Sequence, residues 1–188
     1  MAGLKHIALL RGINVGGKNK LAMKDLAALF EAAGCDDVAT FIQSGNVVFR
    51  ASSALARKVP ALLERAIEKH AGFRAPVLVR SADEMRAVLA GNPFVAAHVD
   101  GDQLHVVFLR DASDGAHESA LDPKRSPPDE FVVRGREIYL RLPNGVARSK
   151  LTAAYFDAKL ATTTTQRNWR TVQSLVDLAA RALSSTDK

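Results

Sequence analysis

Residues 38–50, VATFIQSGNVVFR, contain two short β-type runs separated only by Ser44 and Gly45. Runs rich in valine, isoleucine, threonine and phenylalanine are typical of strands, and a short glycine-containing connection between them is typical of a hairpin. We therefore predict strands over 38–43 and 46–50, joined tightly at 44–45. This hairpin decides the fold, because it interrupts what is otherwise an alternation of single strands and helices.

The segments on either side of the hairpin complete a β-α-β-β-α-β order within residues 1–80. Along the chain, we predict a strand over 5–11, a helix with apolar positions Met23, Leu26, Leu29 and Phe30, the hairpin, a helix over 54–71 and a strand over 76–80. The apolar positions recur at the spacing of one helical face. Pro60 either bends the second helix or marks its start. This order is that of a ferredoxin-like unit.

Residues 81–188 are predicted to form a second unit of the same kind, with an additional C-terminal helix. The elements are a helix over 81–90 with a Ser81–Glu84 capping box, a strand over 103–109, a helical turn near 117–121, a hairpin of 130–134 with 137–142, and helices over 149–161 and 166–183. Thr163 and Gln166 form another capping box, so the threonine run is predicted to start the last helix. The fold class is α+β, with two tandem ferredoxin-like units and antiparallel sheets. No convincing residue-level repeat relates the two halves.

Composition excludes several classes of protein. The 188-residue chain is 47% hydrophobic and holds one cysteine, Cys35, which excludes a disulfide framework and a cysteine-based zinc site. No apolar run approaches the ~18 residues of a membrane span, and Arg11 ends the apolar stretch 7–10 too early for a signal peptide. We expect a cytoplasmic protein without membrane association. We expect neither a cofactor nor a metal, because no metal-ligand spacing relates His6, His70, His98, His105 and His117.

Charge is unevenly distributed along the chain, whose formal net charge is +6. Residues 1–24 carry five bases and no acid, and residues 134–170 carry eight bases against two acids, whereas residues 81–130 carry ten acids against four bases. Two basic segments brought together by the fold would attract phosphates, nucleic acid or an acidic partner. The alternative is a surface that is merely basic and patchy, as many bacterial surfaces are.

The sharpest motif is the glycine-rich segment 12–19, GINVGGKN, between the first strand and the first helix. It fits the G-x-x-x-x-G-K part of a phosphate-binding loop, but Asn19 stands where magnesium needs a hydroxyl ligand, and no suitable second acid follows a later strand. Hydrolysis of ATP or GTP is therefore not predicted, whereas anion binding is, because glycines and a helix N-terminus both favour a phosphate. The alternative is a solvated loop whose glycines provide only turn geometry. The candidate residues are Arg11, Gly12, Asn14, Gly16, Gly17, Lys18 and Lys20.

Further candidates lie outside the glycine-rich segment. Gln43, Ser44 and Asn46 flank the tight turn and would hydrogen-bond a ligand, although the same residue types satisfy their own backbone in turns. The strand order is expected to place this turn and the glycine-rich segment at opposite ends of the sheet. Candidates in the second half are Ser149, Lys150, Arg167 and Asn168. Ser149 is most simply the N-cap of the following helix.

Several stretches carry a resemblance to a known family. They are 10–18 (LRGINVGGK), 42–49 (IQSGNVVF), 92–94 (NPF), 149–151 (SKL) and 167–172 (RNWRTV). Together they resemble the bacterial domain-of-unknown-function 1697 family over nearly the whole chain. The resemblance implies two tandem ferredoxin-like units, and it implies no activity.

Three hypotheses about function follow from these observations. The first is binding of a phosphorylated or otherwise anionic ligand at the basic loops, whether a nucleotide, a phosphometabolite or a nucleic-acid backbone. The second is an enzyme acting on a phosphorylated metabolite, for which no catalytic residue is identified. The third is a protein-interaction module. An RNA-recognition motif is excluded, because Phe49 is the sole aromatic residue on the two central strands of the first unit. The oligomeric state is not predicted.

Overall fold

The computed structural model describes residues 3–95 and 100–181. The strands are β1 (Leu4–Leu10), β2 (Asp36–Phe41), β3 (Asn46–Ala51), β4 (Val77–Ser81), β5 (Leu104–Leu109), β6 (Glu130–Arg134), β7 (Glu137–Arg141) and β8 (Thr164–Asn168). The helices are α1 (Met23–Ala32), α2 (Ser53–Ala71), α3 (Ala82–Ala90), α4 (Gly115–Ser119), α5 (Ala153–Leu160) and α6 (Trp169–Arg181). His98 and the predicted end of the last helix at Leu183 lie outside the described residues.

The chain divides into two compact units, Met1–Ala87 with Ser174–Lys188, and Val88–Gln173. The first contains an antiparallel sheet in the order β2-β3-β1-β4, and the second an antiparallel sheet in the order β6-β7-β5-β8. Counted within each unit, both orders read second, third, first, fourth strand, which is the ferredoxin-like arrangement. The predicted α+β fold class, with two such units, antiparallel sheets and a C-terminal helix, is confirmed.

In the first unit, α1 and α2 pack on one face of the sheet. Ala8 and Leu10 of β1 belong to a buried cluster that also includes Phe30 of α1 and Leu63 of α2. The α2 helix begins after Ser52, whose hydroxyl accepts a hydrogen bond from the Leu55 amide, and it continues through Pro60. Pro60 therefore does not mark the start of this helix.

In the second unit, the threonine run forms a strand, and the prediction that it starts the last helix is wrong. Thr164–Asn168 pair antiparallel with β5, and α6 begins at Trp169. The hydrogen bond that caps α6 runs from the Thr171 amide to Asn168 Oδ1, at 2.8 Å. The strand was missed because its buried residues are polar, so their burial leaves no apolar pattern in the sequence. These buried residues are Thr164, Thr165 and Arg167.

The first strands of the two units share a short sequence similarity at equivalent positions of the fold. Residues 6–11 read HIALLR and residues 105–110 read HVVFLR. The backbone amides of Leu10 and Leu109 donate to Gly45 O and Arg136 O, each of which directly precedes the third strand of its unit. The register of hydrogen bonds therefore equates His6 with His105. The similarity is confined to six residues, three of them identical, and only the register of the strands makes it visible.

Candidate functional site

The glycine-rich segment forms a small hairpin of its own. Val15 and Lys18 make an isolated antiparallel bridge, and the Lys18 amide donates to Val15 O at 3.1 Å. Gly16 and Gly17 between them have φ values of 58° and 75°. Positive φ at both central positions of a two-residue turn is the type I′ geometry, which favours glycine. The two glycines are therefore required by the turn, and the hairpin tip is exposed.

Two asparagines close the base of this hairpin. The backbone N–H of Asn14 donates to the backbone carbonyl of Asn19 at 3.0 Å, and the side-chain Nδ2 of Asn19 donates to Gly12 O at 2.9 Å. Both residues have positive φ, 54° for Asn14 and 50° for Asn19. Asparagine tolerates this left-handed region better than most residues. The Asn19 side chain thus holds the loop, in the position where a nucleotide-hydrolysing loop has a hydroxyl.

The Asn14 side chain joins three segments of the first unit. Its Nδ2 donates to Leu21 O and to Gln43 O, both at 2.9 Å, and its Oδ1 accepts from the Leu21 amide at 2.9 Å. These bonds connect the hairpin to the residues before α1 and to the turn between β2 and β3. Because Leu21 is 4% exposed, its amide and carbonyl depend on Asn14 for partners.

The prediction that the glycine-rich segment and the β2–β3 turn lie at opposite ends of the sheet is wrong. Strand β1 is antiparallel to β3, with Leu9 opposite Asn46. The residues that follow β1 therefore lie beside the residues that precede β3. The turn itself spans four residues, 42–45, rather than two, and Gly45 has the positive φ, 76°, expected of it.

A cleft of about 330 Å³ lies between the hairpin and the β2–β3 turn. It is lined by Asn14, Gly17, Lys20, Leu21, Ala22 and Gln43. Four of these residues were predicted as site residues. Leu21 and Ala22 were not predicted. The sequence does contain a signal that Ala22 leaves the helix start uncapped, because the residue before Met23 is alanine and not serine, threonine, aspartate or asparagine.

The N-terminus of α1 adjoins this cleft without a side-chain cap. Ala22 occupies the N-cap position and provides no hydrogen-bonding side chain. The amides of Met23 and Lys24, at the first two helical positions, have no acceptor within the helix. Asp25 provides an acidic group in the first turn, and the lysines of this part of the sequence, Lys18, Lys20 and Lys24, are all exposed. The positive end of the helix dipole therefore adjoins Lys24, at the second helical position, and Lys20 of the cleft lining.

The loop does not have the geometry of a nucleotide-hydrolysing phosphate loop. Such a loop aims consecutive amides at a phosphate and enters a helix directly after its lysine. Here the Lys18 amide donates to Val15 O, and α1 begins at Met23, five residues further along. The sheet is antiparallel, whereas P-loop proteins follow a parallel strand–loop–helix arrangement.

Other predicted residues of the first unit have local structural contacts. The Arg11 amide donates to Pro76 O at 2.9 Å, and its side chain is half-buried. Asn46 is fully buried, and its Nδ2 donates to Phe41 O and to the Ser44 hydroxyl at 3.2 and 3.0 Å. Ser44 and Asn46 therefore shape the turn that carries Gln43. Their role in ligand binding stays a prediction.

The predicted residues of the second unit also make local contacts. Ser149 is not the N-cap of α5. That position belongs to Thr152, whose hydroxyl accepts from the Tyr155 amide, because Val146–Arg148 form a 3-10 turn that delays the helix. The Ser149 hydroxyl accepts from the Leu151 amide at 3.1 Å, and the Lys150 amide donates to the Ser126 hydroxyl at 3.0 Å. Ligand binding by Ser149 and Lys150 stays a prediction.

Arg167 and Asn168 lie at the end of β8. Arg167 is 8% exposed, and its guanidinium donates to the Thr165 hydroxyl and to Gln166 O, both at 2.8 Å. Burial lowers the pKa of Arg167 to about 10, which leaves it charged at neutral pH. Asn168 caps α6. A ligand contact at either residue stays a prediction.

Nucleophilic and metal chemistry receive little support from the described residues. Burial, together with the neighbouring Asp36 carboxylate, raises the pKa of the Cys35 thiol to about 11, which makes the thiolate scarce at neutral pH. Within residues 3–95 and 100–181, no group of three histidine, cysteine or acidic side chains is placed to hold a metal ion. No helix in this part of the chain has the length and apolar character needed to cross a membrane.

Comparisons with known proteins indicate a family and a fold. A family model described as "Protein of unknown function (DUF1697)" matches residues 4–139. A search of curated proteins found no match. Among solved structures, the chain is similar to the conserved bacterial protein SP0830 from Streptococcus pneumoniae, with a TM-score of 0.68 and 21% sequence identity. That similarity covers 94% of this chain and 98% of the other, and it shows a shared fold.

Proposed function

The chain belongs to the DUF1697 family of proteins of unknown function, and we propose that it binds a small phosphorylated or otherwise anionic ligand in the cleft beside the glycine-rich hairpin. The observation that carries the proposal is the uncapped N-terminus of α1 at a cleft that Lys20 lines. A helix start without a cap leaves amide donors directed outward, and the helix dipole attracts negative charge there.

The charge around the cleft supports an anion in particular. Lys20 lines the cleft, and Lys24 lies in the first turn of α1, at the end of the helix where the dipole disfavours cations. A bound phosphate or carboxylate removes this conflict, because it accepts hydrogen bonds from the helix amides and pairs with a lysine at the same time. A cap residue in place of Ala22 would have satisfied the amides without a ligand.

The size of the cleft favours a small molecule over a polymer. A volume of about 330 Å³ lies within the range of small-molecule sites, about 300–1,000 Å³. Asn14 holds the backbone carbonyl of Gln43, which keeps this exposed residue of the turn beside the cleft that it lines. A side-chain amide next to an anion subsite supplies a donor and an acceptor for the uncharged part of a ligand.

The test is a thermal-shift panel of inorganic phosphate, pyrophosphate, nucleoside monophosphates and sugar phosphates. A ligand at 100 times its dissociation constant stabilises the folded protein by about 2.7 kcal/mol. For a chain of this size, the melting temperature then rises by about 5–10 °C. Lys20→Ala is expected to weaken that ligand about tenfold, since it removes one charge-assisted hydrogen bond.

Lys58→Ala provides the matched control, because Lys58 is an exposed lysine on α2 outside the cleft lining. It removes the same charge and is expected to leave the shift unchanged. Equal loss of the shift in both variants means that net charge, rather than the cleft, attracts the ligand, and this overturns the proposal. Shifts caused only by RNA or DNA, and abolished by moderate salt, mean contact with a nucleic-acid backbone instead.

A further inference from the structure

Strand β6 lies at the edge of the sheet of the second unit, and within residues 3–95 and 100–181 it pairs only with β7. It pairs with β7 through five successive residues, from Glu130 opposite Arg141 to Arg134 opposite Glu137, without a register shift. The two strands are joined by two residues, of which Gly135 has a φ of 60°. Such a two-residue hairpin fixes the register of the whole strand.

The backbone groups of Phe131 and Val133 point away from β7. The residues that flank a two-residue hairpin turn, here Arg134 and Glu137, form a hydrogen-bonded pair, and the pattern alternates along an antiparallel ladder. Glu130, Val132 and Arg134 therefore bond to β7, and the two residues between them present four donors and acceptors outward. Across residues 3–95 and 100–181, no other segment bonds to these groups.

The sequence of β6, Glu-Phe-Val-Val-Arg, is complementary to itself in the antiparallel direction. Pairing about Val132 places Glu130 opposite Arg134 of the other strand at both ends. It also places Phe131 opposite Val133, which is the pair whose backbone groups point outward. Opposite charges directly across a pair of strands are favourable, as are aromatic residues opposite β-branched ones.

We propose that β6 pairs antiparallel with β6 of a second copy of this chain, with Val132 at the twofold axis, so that two four-stranded sheets become one of eight strands. The charges, the apolar pairs and the outward hydrogen-bonding groups all agree with this one register. A single twofold axis, with the same surface used by both subunits, is also the commonest symmetry of homo-oligomers.

The corresponding edge of the first unit is protected against such pairing. Strand β2 has a register shift between Asp36 and Ala39, and Asp37 within it has a φ of 47°. Both acids lie at the same end of the strand, so antiparallel self-pairing leaves them without an opposite charge. Bulges and charges of this kind are common devices for blocking sheet edges. The remaining outer strands, β4 and β8, are mostly buried along their length.

A disulfide cross-link provides the first test. In the proposed dimer, the two Val132 residues face each other at a position without hydrogen bonds between them, where Cα atoms are about 4.5 Å apart. A disulfide spans this distance. In Val132→Cys, a disulfide-linked dimer is therefore expected under mild oxidation. The native Cys35 does not compete, since it is buried and the pKa of its thiol is raised to about 11. Ala39→Cys, half-buried on the other edge strand, is the control. Equal cross-linking of the two variants overturns the proposal.

Charge reversal in the Val132→Cys background tests the register. Glu130→Arg alone and Arg134→Glu alone each place like charges opposite one another at both ends, so each is expected to lose the cross-link. An equimolar mixture of the two restores opposite charges at both ends, and the mixed disulfide is expected at about ten times the yield of either variant alone.

In the parent chain, Glu130 pairs with Arg141 at 2.5 Å and Arg134 donates to Gly91 O at 2.8 Å, so each charge reversal removes a native contact. Circular dichroism is therefore used first to check that both variants fold. Undiminished cross-linking in either single variant contradicts the proposed register. A mixture of the folded variants that yields no more disulfide-linked dimer than each variant yields alone also contradicts the register.

Discussion

The Asn14 side chain is the contact whose removal most directly tests the structure of the cleft. Asn14→Ala deletes three hydrogen bonds, two of them to the backbone of the buried Leu21. At about 1 kcal/mol each, their loss lowers the free energy of unfolding by about 3 kcal/mol. Alanine at a φ of 54° adds about 1 kcal/mol of backbone strain. The expected total of about 4 kcal/mol corresponds to a fall in melting temperature of roughly 8–16 °C.

Asn14→Gly separates the two contributions. Glycine also loses the hydrogen bonds, but it adopts a positive φ without steric cost, so it is expected to be about 1 kcal/mol less destabilising than alanine. Urea denaturation of the three proteins, followed by circular dichroism, measures both differences. If Asn14→Ala unfolds within 0.5 kcal/mol of the parent (roughly the effect of an ordinary surface substitution), then Asn14 does not hold these segments together, and the reasoning is refuted.

Three further predictions follow from buried groups. Gly45→Ala is expected to cost about 3 kcal/mol in urea denaturation, because φ is 76° and the new Cβ would lie 2.7 Å from Leu10 Cβ; an unchanged midpoint contradicts this. Burial lowers the pKa of His6 and His105 below the ordinary 6.5, so the unfolded chain takes up protons first as the pH falls. Stability is therefore expected to be full above pH 6.5 and to decline below it toward the lowered values, with a shallower decline in His105→Phe. Cys35 is expected to react with iodoacetamide at pH 7.5 only after unfolding, and labelling of the folded chain at the rate of the unfolded one contradicts its burial.

The sequence predicts those parts of the fold in which burial follows an apolar pattern. Met23, Leu26, Leu29 and Phe30 locate α1, and the Ser81–Glu84 capping box is confirmed by reciprocal bonds of 2.7 and 3.1 Å. Strand β8 escapes prediction because its partners in the sheet, rather than its own hydrophobicity, bury Thr164 and Thr165. Tertiary pairing of this kind has no local signal.

The candidate cleft was only partly accessible from sequence, for a similar reason. Glycine and lysine in the segment 12–19 indicate a loop suited to anions, and the structure places Gly17 and Lys20 in the lining. Sequence spacing does not predict that Gln43 contacts this loop, since the contact depends on the antiparallel register of β1 with β3. Because this register joins segments that are distant in sequence, local sequence patterns do not show that the two segments are neighbours.

Titration of the isotopically labelled protein with inorganic phosphate, followed by backbone amide NMR, tests the proposed cleft most directly. Binding at the N-terminus of α1 predicts saturable chemical-shift changes that are largest at the Met23 and Lys24 amides, and that weaken in Lys20→Ala but not in Lys58→Ala. Saturable changes confined to other parts of the chain, or shifts at these two amides that persist unchanged in Lys20→Ala, would contradict an anion site in this cleft.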